Sequence, residues 1–386
     1  MYKLKRIKLS LLLFATMLFG TAGLTNAASI DLSSLAFVQY GDGQSYSLNG
    51  AITTQCGGSK SGCPYYIQSG PGQIDDLVVV ATGPSGQNLV TNFSGMDKAY
   101  ATPENSTLDF FRTSAATSRG HTGTIAHNGD NTWDSSLTAL KSYLSGDNLV
   151  FFFNNNQTNN NGGASQSLAA WAQIYITDPR GHLVGTPYDF TNQGFTVQTP
   201  GKYALFTEGG GGIFGGSVTN YTSTGLRDPL AGTNASTDYV LSGGQICALP
   251  NGAPVSCSTP GAGAPVNNNL GADQAAYAVY FPELNAQLGS LFGSVGNLAE
   301  YTLHVDFRIG CDPAILNKTA DCSSQPYYRG LDNGYEQLFI GTAAVTRVPE
   351  PGSLALLGLG LISLMAFSMR RRTQDYLVGV EESRRR

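Results

Sequence analysis

Along residues 301–309 the chain alternates without exception. Tyr301, Leu303, Val305, Phe307 and Ile309 point one way, and Thr302, His304, Asp306 and Arg308 the other. Successive side chains of a strand face opposite sides, whereas helical side chains repeat about every 3.6 residues, so this nonapeptide predicts a β-strand with one face in a core and one in water. Residues 35–40, 76–81, 148–153, 171–177, 202–207, 275–281 and 337–343 read as further strands, separated by connections rich in Gly, Asn, Pro and Ser. The pattern predicts an all-β chain built as an antiparallel β-sandwich, jelly-roll-like. Two short helices are expected within it. One spans residues 135–144, N-capped by Asp134 and with Leu137, Leu140 and Leu144 at helical spacing; the other spans residues 283–292.

The two ends differ from this body. Lys3, Lys5, Arg6 and Lys8 precede an apolar run and then small residues up to Ala27, the order of an export signal that is removed after residue 27 or 28. The run is shorter than the roughly 20 residues a membrane span needs. Residues 28–349 hold 12 cations against 23 acids, so the body should repel nucleic-acid phosphates and bare anionic bilayers, and no nucleic-acid partner is expected.

Six cysteines form three near-neighbour pairs: Cys56 with Cys63, Cys247 with Cys257, and Cys311 with Cys322. Short loops favour the nearest partner because the thiols meet often in the unfolded chain. Each such loop is expected to add roughly 2.5 to 3 kcal/mol, and an oxidising compartment is implied. A zinc site is the sharper alternative, but Cys-x-x-Cys knuckles and nearby histidines are lacking.

At the other end Val348, Pro349, Glu350 and Pro351 precede a mostly apolar stretch over residues 353–369 and then Arg370, Arg371 and Arg372. Seventeen helical residues span about 25 Å, enough for a thin bilayer, and the arginines should stay cytoplasmic. Motif, apolar helix and basic cluster in this order resemble the PEP-CTERM sorting signal, the substrate of exosortase-type membrane proteases of Gram-negative bacteria. The resemblance implies removal of the tail near Pro349-Glu350-Pro351 and delivery to the cell surface or the extracellular polysaccharide matrix. The expected organisation is a signal peptide (1–27) and a disulfide-tied exported domain (28–345) with a loop excursion at 249–271. A sorting signal (346–372), transiently anchored in the inner membrane, and a cytoplasmic tail (373–386) follow.

Catalytic signatures are sparse. The body has no Gly-x-Ser-x-Gly elbow, His-Glu-x-x-His or phosphate loop, and no pair among Glu104, Glu208, Glu283, Glu300 and Glu336 is distinguished by local sequence for glycoside hydrolysis. Glu300 and Glu336 read as exposed strand-end acids, and His304 as a side chain on the outward face of its strand. Calcium is the one cofactor the loops suggest, through Asp130 and Asp134 as hard oxygen ligands. His121 and His127 form a weaker metal candidate with Asp130. Trp133, Trp171 and the doublets Tyr65-Tyr66 and Tyr327-Tyr328 are divided between core packing and sugar stacking. The expected role is a non-enzymatic surface or matrix protein, structural or polysaccharide-associated. A secreted glycan hydrolase and a carbohydrate-binding module are the alternatives.

Overall fold

A computed structural model of the chain describes residues 29–70, 77–83, 92–103, 110–113, 125–127, 132–156, 170–190, 213–215, 221–222, 246–250, 254–256, 260–264, 266–271, 273–310, 331 and 336–344. In chain order the first strands are β1 (Ile30–Asp31), β2 (Phe37–Tyr40), β3 (Gly43–Ser47), β4 (Val78–Thr82), β5 (Tyr100–Ala101) and β6 (Phe110–Arg112). There follow β7 (Trp133–Ser136), β8 (Asn148–Asn154), β9 (Ala170–Thr177), β10 (Tyr188–Phe190), β11 (Ile213–Gly215) and β12 (Tyr221–Thr222). The last are β13 (Ile246–Ala248), β14 (Pro254–Ser256), β15 (Tyr277–Tyr280), β16 (Thr302–Gly310) and β17 (Gln337–Ala344). Among the described residues three short α-helices accompany them, α1 (Leu48–Gln55), α2 (Leu137–Leu144) and α3 (Pro282–Ser294).

A ten-stranded sheet runs β12-β11-β2-β3-β15-β8-β17-β4-β5, with β1 paired to β17. A five-stranded sheet runs β10-β9-β16-β6, with β7 also on β16, and β13 and β14 form a separate pair. The expected β-rich class with short helices is met, but the large sheet is mixed rather than antiparallel, because β1 runs parallel to β17 and β4 parallel to β5.

The chemistry of β8 explains the layering. Its sequence Leu-Val-Phe-Phe-Phe has no polar alternate, so both faces must be covered. Leu149, Phe151 and Phe153 enter one apolar cluster together with Ile174, Val305 and Phe307 of the smaller sheet, and Phe153 meets Phe307 edge to face at 6.0 Å. Val150 and Phe152 enter a second cluster on the opposite side, with Leu48 and Ile52 of α1, Tyr65 and Phe339. The smaller sheet and the α1 segment thus lie against opposite faces of the large one. Burying one large apolar side chain contributes about 1.5–3 kcal/mol, so β8 anchors both layers.

Helix α2 buries Leu137, Leu140 and Leu144 as the spacing requires. Its start differs from expectation: Asp134 lies in β7, and Ser136 is the N-cap, its hydroxyl accepting the Ala139 N–H at 3.3 Å. Helix α3 starts with Pro282, whose missing N–H is no loss in a first turn. It turns Leu284, Asn285 and Leu288 inward. Asn285 completes the sheet where β15 stops: Oδ1 accepts the Leu149 N–H at 2.7 Å and Nδ2 donates to the Leu149 carbonyl at 2.9 Å. Asn92 does the same on β4, accepting from the Val79 N–H at 2.9 Å and donating to its carbonyl at 2.7 Å. A primary amide carries one acceptor and donors at peptide-like spacing, so one side chain can stand in for a strand residue.

The strand expected at 202–207 lies outside the described residues, as do the expected export signal and the apolar C-terminal run. Among the described residues no helix is long and apolar enough to cross a membrane.

Candidate functional site

Strand β16 is flanked by β9 along residues 302–309 on one side and by β7, then β6, on the other. Its apolar alternates enter the core as expected. The polar alternates correct the expectation of a wet face: Thr302, His304, Asp306 and Arg308 are all buried. The outer face of the smaller sheet is a closed polar layer, and each polar group in it needs a partner, since burying one without a hydrogen bond costs on the order of 1–3 kcal/mol.

The register supplies those partners. His304 stands opposite Asp134 of β7 and opposite Tyr175 of β9. Its Nδ1 lies 2.8 Å from Asp134 Oδ1 and its Nε2 lies 2.8 Å from Thr177 Oγ1. Thr132 donates its hydroxyl to the same Asp134 oxygen at 2.6 Å, and the Asp134 N–H is held by Asp97 Oδ2 at 3.1 Å. Tyr175 stacks on the imidazole, ring centroids 4.6 Å apart. Burial pushes its phenol up to about 12, with the nearby Asp134 and Asp306 charges adding to the shift. Two residues further along β16, Asp306 Oδ1 accepts from the Thr113 hydroxyl at 2.9 Å, and Arg308 donates from Nη2 to Asp306 Oδ2 at 3.1 Å.

Hydroxyl, imidazole and carboxylate in the sequence Thr177–His304–Asp134 have the connectivity of a nucleophile–base–acid relay. Here, however, all three side chains are buried on adjoining strands, and the hydroxyl is a β-branched threonine at a strand end. What this geometry does is pin β7, β16 and β9 together and fix the imidazole orientation from both nitrogens.

A second polar cluster joins the two sheets. The Asp42 N–H donates to the Asp189 carbonyl at 2.9 Å, and the Asp189 N–H returns a bond to Asp42 Oδ2 at 2.8 Å. Gln173 Nε2 donates to Asp189 Oδ1 at 2.7 Å. Burial raises both carboxyls to about 6; at Asp42 the bond from Asp189 opposes that shift, and the charges of Glu283 and Asp189 add to it. Between the sheets lies a wholly apolar cavity of about 20 Å³, lined by residues that include Phe151, Ala172, Val279 and Phe307.

The remaining predicted positions fall as follows. Cys56 and Cys63 are joined by a disulfide just after α1. Cys247 is disulfide-bonded, while Cys257, Cys311 and Cys322 lie outside the described residues. Asp134 is committed to His304 and Thr132 in a strand interior rather than to a solvated loop; Asp130 and His121 lie outside the described residues, and no group of three His, Cys, Asp or Glu side chains among those described is placed to hold a metal. His127 is exposed and bonds through Nε2 to the Pro179 carbonyl at 2.6 Å. Glu300 is exposed as expected, but Glu336 is fully buried. Trp133 is a core side chain whose Nε1 donates to the Asp97 carbonyl at 3.2 Å. Sequence reasoning missed the Asp134–His304 pair altogether, since nothing local links positions 170 apart. Val348, Pro349, Glu350, Pro351 and Arg370 to Arg372 lie outside the described residues.

Comparison with known proteins gives two matches of complementary extent. A model described as PEP-CTERM protein-sorting motif matches residues 347–372, which agrees with the resemblance carried by Val348 to Pro351 and the arginines and implies an exported surface protein processed by an exosortase. No curated protein and no solved structure matches the chain. A second family model matches residues 30–308, from β1 into β16, and leaves β17 beyond its end. The chain belongs to that family, whose description is "Domain of unknown function (DUF8239)".

Proposed function

We propose that the chain is an exported protein of the cell surface or extracellular matrix whose body, a disulfide-tied β-sandwich of jelly-roll type, has a structural or polysaccharide-associated and non-enzymatic role. The supporting observation is the sorting-motif match at residues 347–372, beginning just past Ala344, the last residue of β17. An N-terminal export signal and a C-terminal apolar helix followed by Arg370, Arg371 and Arg372 would carry the precursor to the inner membrane of a Gram-negative cell, and cleavage near Pro349-Glu350-Pro351 would release it. The body suits an exposed life: buried polar side chains on the smaller sheet are paired internally, as in His304–Asp134 and Arg308–Asp306, and Cys56–Cys63 closes the loop after α1.

Mass spectrometry of the mature protein from its native host tests the reading. The expected mature chain starts at residue 28 or 29 and ends at the motif, and changing Pro349, Glu350 and Pro351 to alanine should leave the body membrane-bound. A mature protein that retains Arg386, or a triple variant released like the parent, would overturn it.

A further inference from the structure

The first and the last of the described strands meet. Strand β1 pairs in parallel with the last two residues of β17, Ile30 opposite Ala343 and Asp31 opposite Ala344. Ala343 is also paired with Asn148 of β8, so β1 must lie on the other side of β17, where β4 pairs only with Leu338 to Ile340. β1 therefore flanks the end of β17, and it is firmly seated: Ile30 and Leu32 are fully buried in the cluster that holds Phe339 and Ala343. Directly after it Asp31 Oδ1 accepts from the Ser33 N–H at 2.9 Å and the Ser33 hydroxyl at 2.6 Å, turning the chain away.

Only Val345, Thr346 and Arg347 separate Ala344 from Val348. Fully extended, three residues reach about 10 Å, so each residue held by the sheet shortens the chain available to a protease seated in the membrane. We propose that Ile30 and Leu32 are positioning residues for the sorting reaction: by docking β1 on Ala343 and Ala344 they set where the body lets go of its tail, and so restrain access to the motif. The inference rests on the reading of residues 347–372 as a processed sorting signal. Its mechanism is that undocking β1 removes one of the two flanks of Ala343, the strand end opens more often, and the longer free chain is cut faster. When opening is fast relative to cleavage, proteolysis follows the population of the open form.

The test uses the full chain in a host that supplies the sorting protease, following loss of the tail by pulse-chase. Ile30→Ala should speed tail removal about twofold or more through the larger open population, and so should a three-residue Gly-Ser insertion after Ala344, which lengthens the tether with β1 intact. Leu140→Ala, a core change in α2 expected to lower overall stability without touching β1, should be cut at the parent rate. Ile30→Ala cut no faster than the parent would overturn the proposal, as would equal acceleration by Leu140→Ala. If Ile30→Ala fails to fold, the insertion decides, since a parent rate there removes the tether argument. A parent chain that keeps its tail overturns the sorting reading itself, a different failure from an unaltered variant in a processed background.

Discussion

His304 Nδ1 sits 2.8 Å from Asp134 Oδ1 across two neighbouring strands, with both side chains buried on the outer face of the smaller sheet. Removing one member of such a pair leaves the other's polar atoms in a place water does not reach. Asp134→Ala deprives both the imidazole and the Thr132 hydroxyl of their acceptor and should destabilise the body by about 3–5 kcal/mol. Replacing His304 and Asp134 together by apolar residues should cost less than the sum of the single changes. Urea unfolding of the four proteins in a double-mutant cycle measures this, and additive losses would show that the pair is not coupled.

Asn285 is expected to matter out of proportion to its size. Asn285→Ala leaves the Leu149 N–H and carbonyl without their side-chain partner, which should cost about 1–3 kcal/mol. Amide hydrogen exchange at Leu149 is the direct readout: protection there should fall more than at Phe151, further along β8. Equal protection at both would mean that the amide does not complete the sheet.

The Asp42–Asp189 contact makes stability fall as pH rises. Both carboxyls titrate near 6 in the folded body against an ordinary value of 3.8, chiefly because burial penalises their charged forms. Below the ordinary value both states hold the proton. Between about 4 and 6 the unfolded chain releases it and the folded one keeps it, so stability declines through that window and is level above it. Both groups are half-exposed, and after allowance for solvent screening the effect is on the order of 1 kcal/mol. Denaturant midpoints at pH 4 and pH 7 should differ less in Asp189→Asn than in the parent; an unchanged difference would remove Asp189 from the account.

The apolar cavity between the sheets predicts a gain. Its lining lacks any polar residue, so it stays dry and its walls forfeit contacts. Val279→Ile adds one methylene toward a cavity of about 20 Å³ and should stabilise by up to about 0.8 kcal/mol, seen as a higher melting temperature. A lower one would mean that the ring atoms of Phe151 and Phe281 already fill the direction into which the new carbon points.

Opening the Cys56–Cys63 bridge should cost about 2.5 kcal/mol by the entropy of a loop this short. The double Cys→Ser variant, unfolded in denaturant beside the parent, checks the figure. No loss would place the ordering of residues 56–63 in the contacts of Cys63 and Tyr65 with the α1-side core.

The amino-acid sequence by itself determined the β-rich class, the apolar faces of β8 and β16, the leucine stripes of α2 and α3, and the sorting motif, because each is a local or periodic property that needs no partner to be read. Cys56 and Cys63 were legible for the same reason: a short loop keeps them near one another in any state of the chain. Helix α1 was not legible, since Gly50, Thr53 and Thr54 dilute its pattern, and burial of Leu48, Ala51 and Ile52 on the second core holds it together with the Ser47 cap. Nor could the alternation over residues 301–309 say that its polar face is dry. Periodicity reports that the two faces of a strand differ, not what covers them, and Thr113, Asp134 and Thr177 arrive from positions well over 100 residues away. Tertiary structure alone also decided that β17, the last of the described strands, lies inside the large sheet between β8 and β4 and ends against β1. The physical reason is that pairing between segments distant in the chain is settled by which surfaces bury one another, a property of the whole fold and of no single stretch.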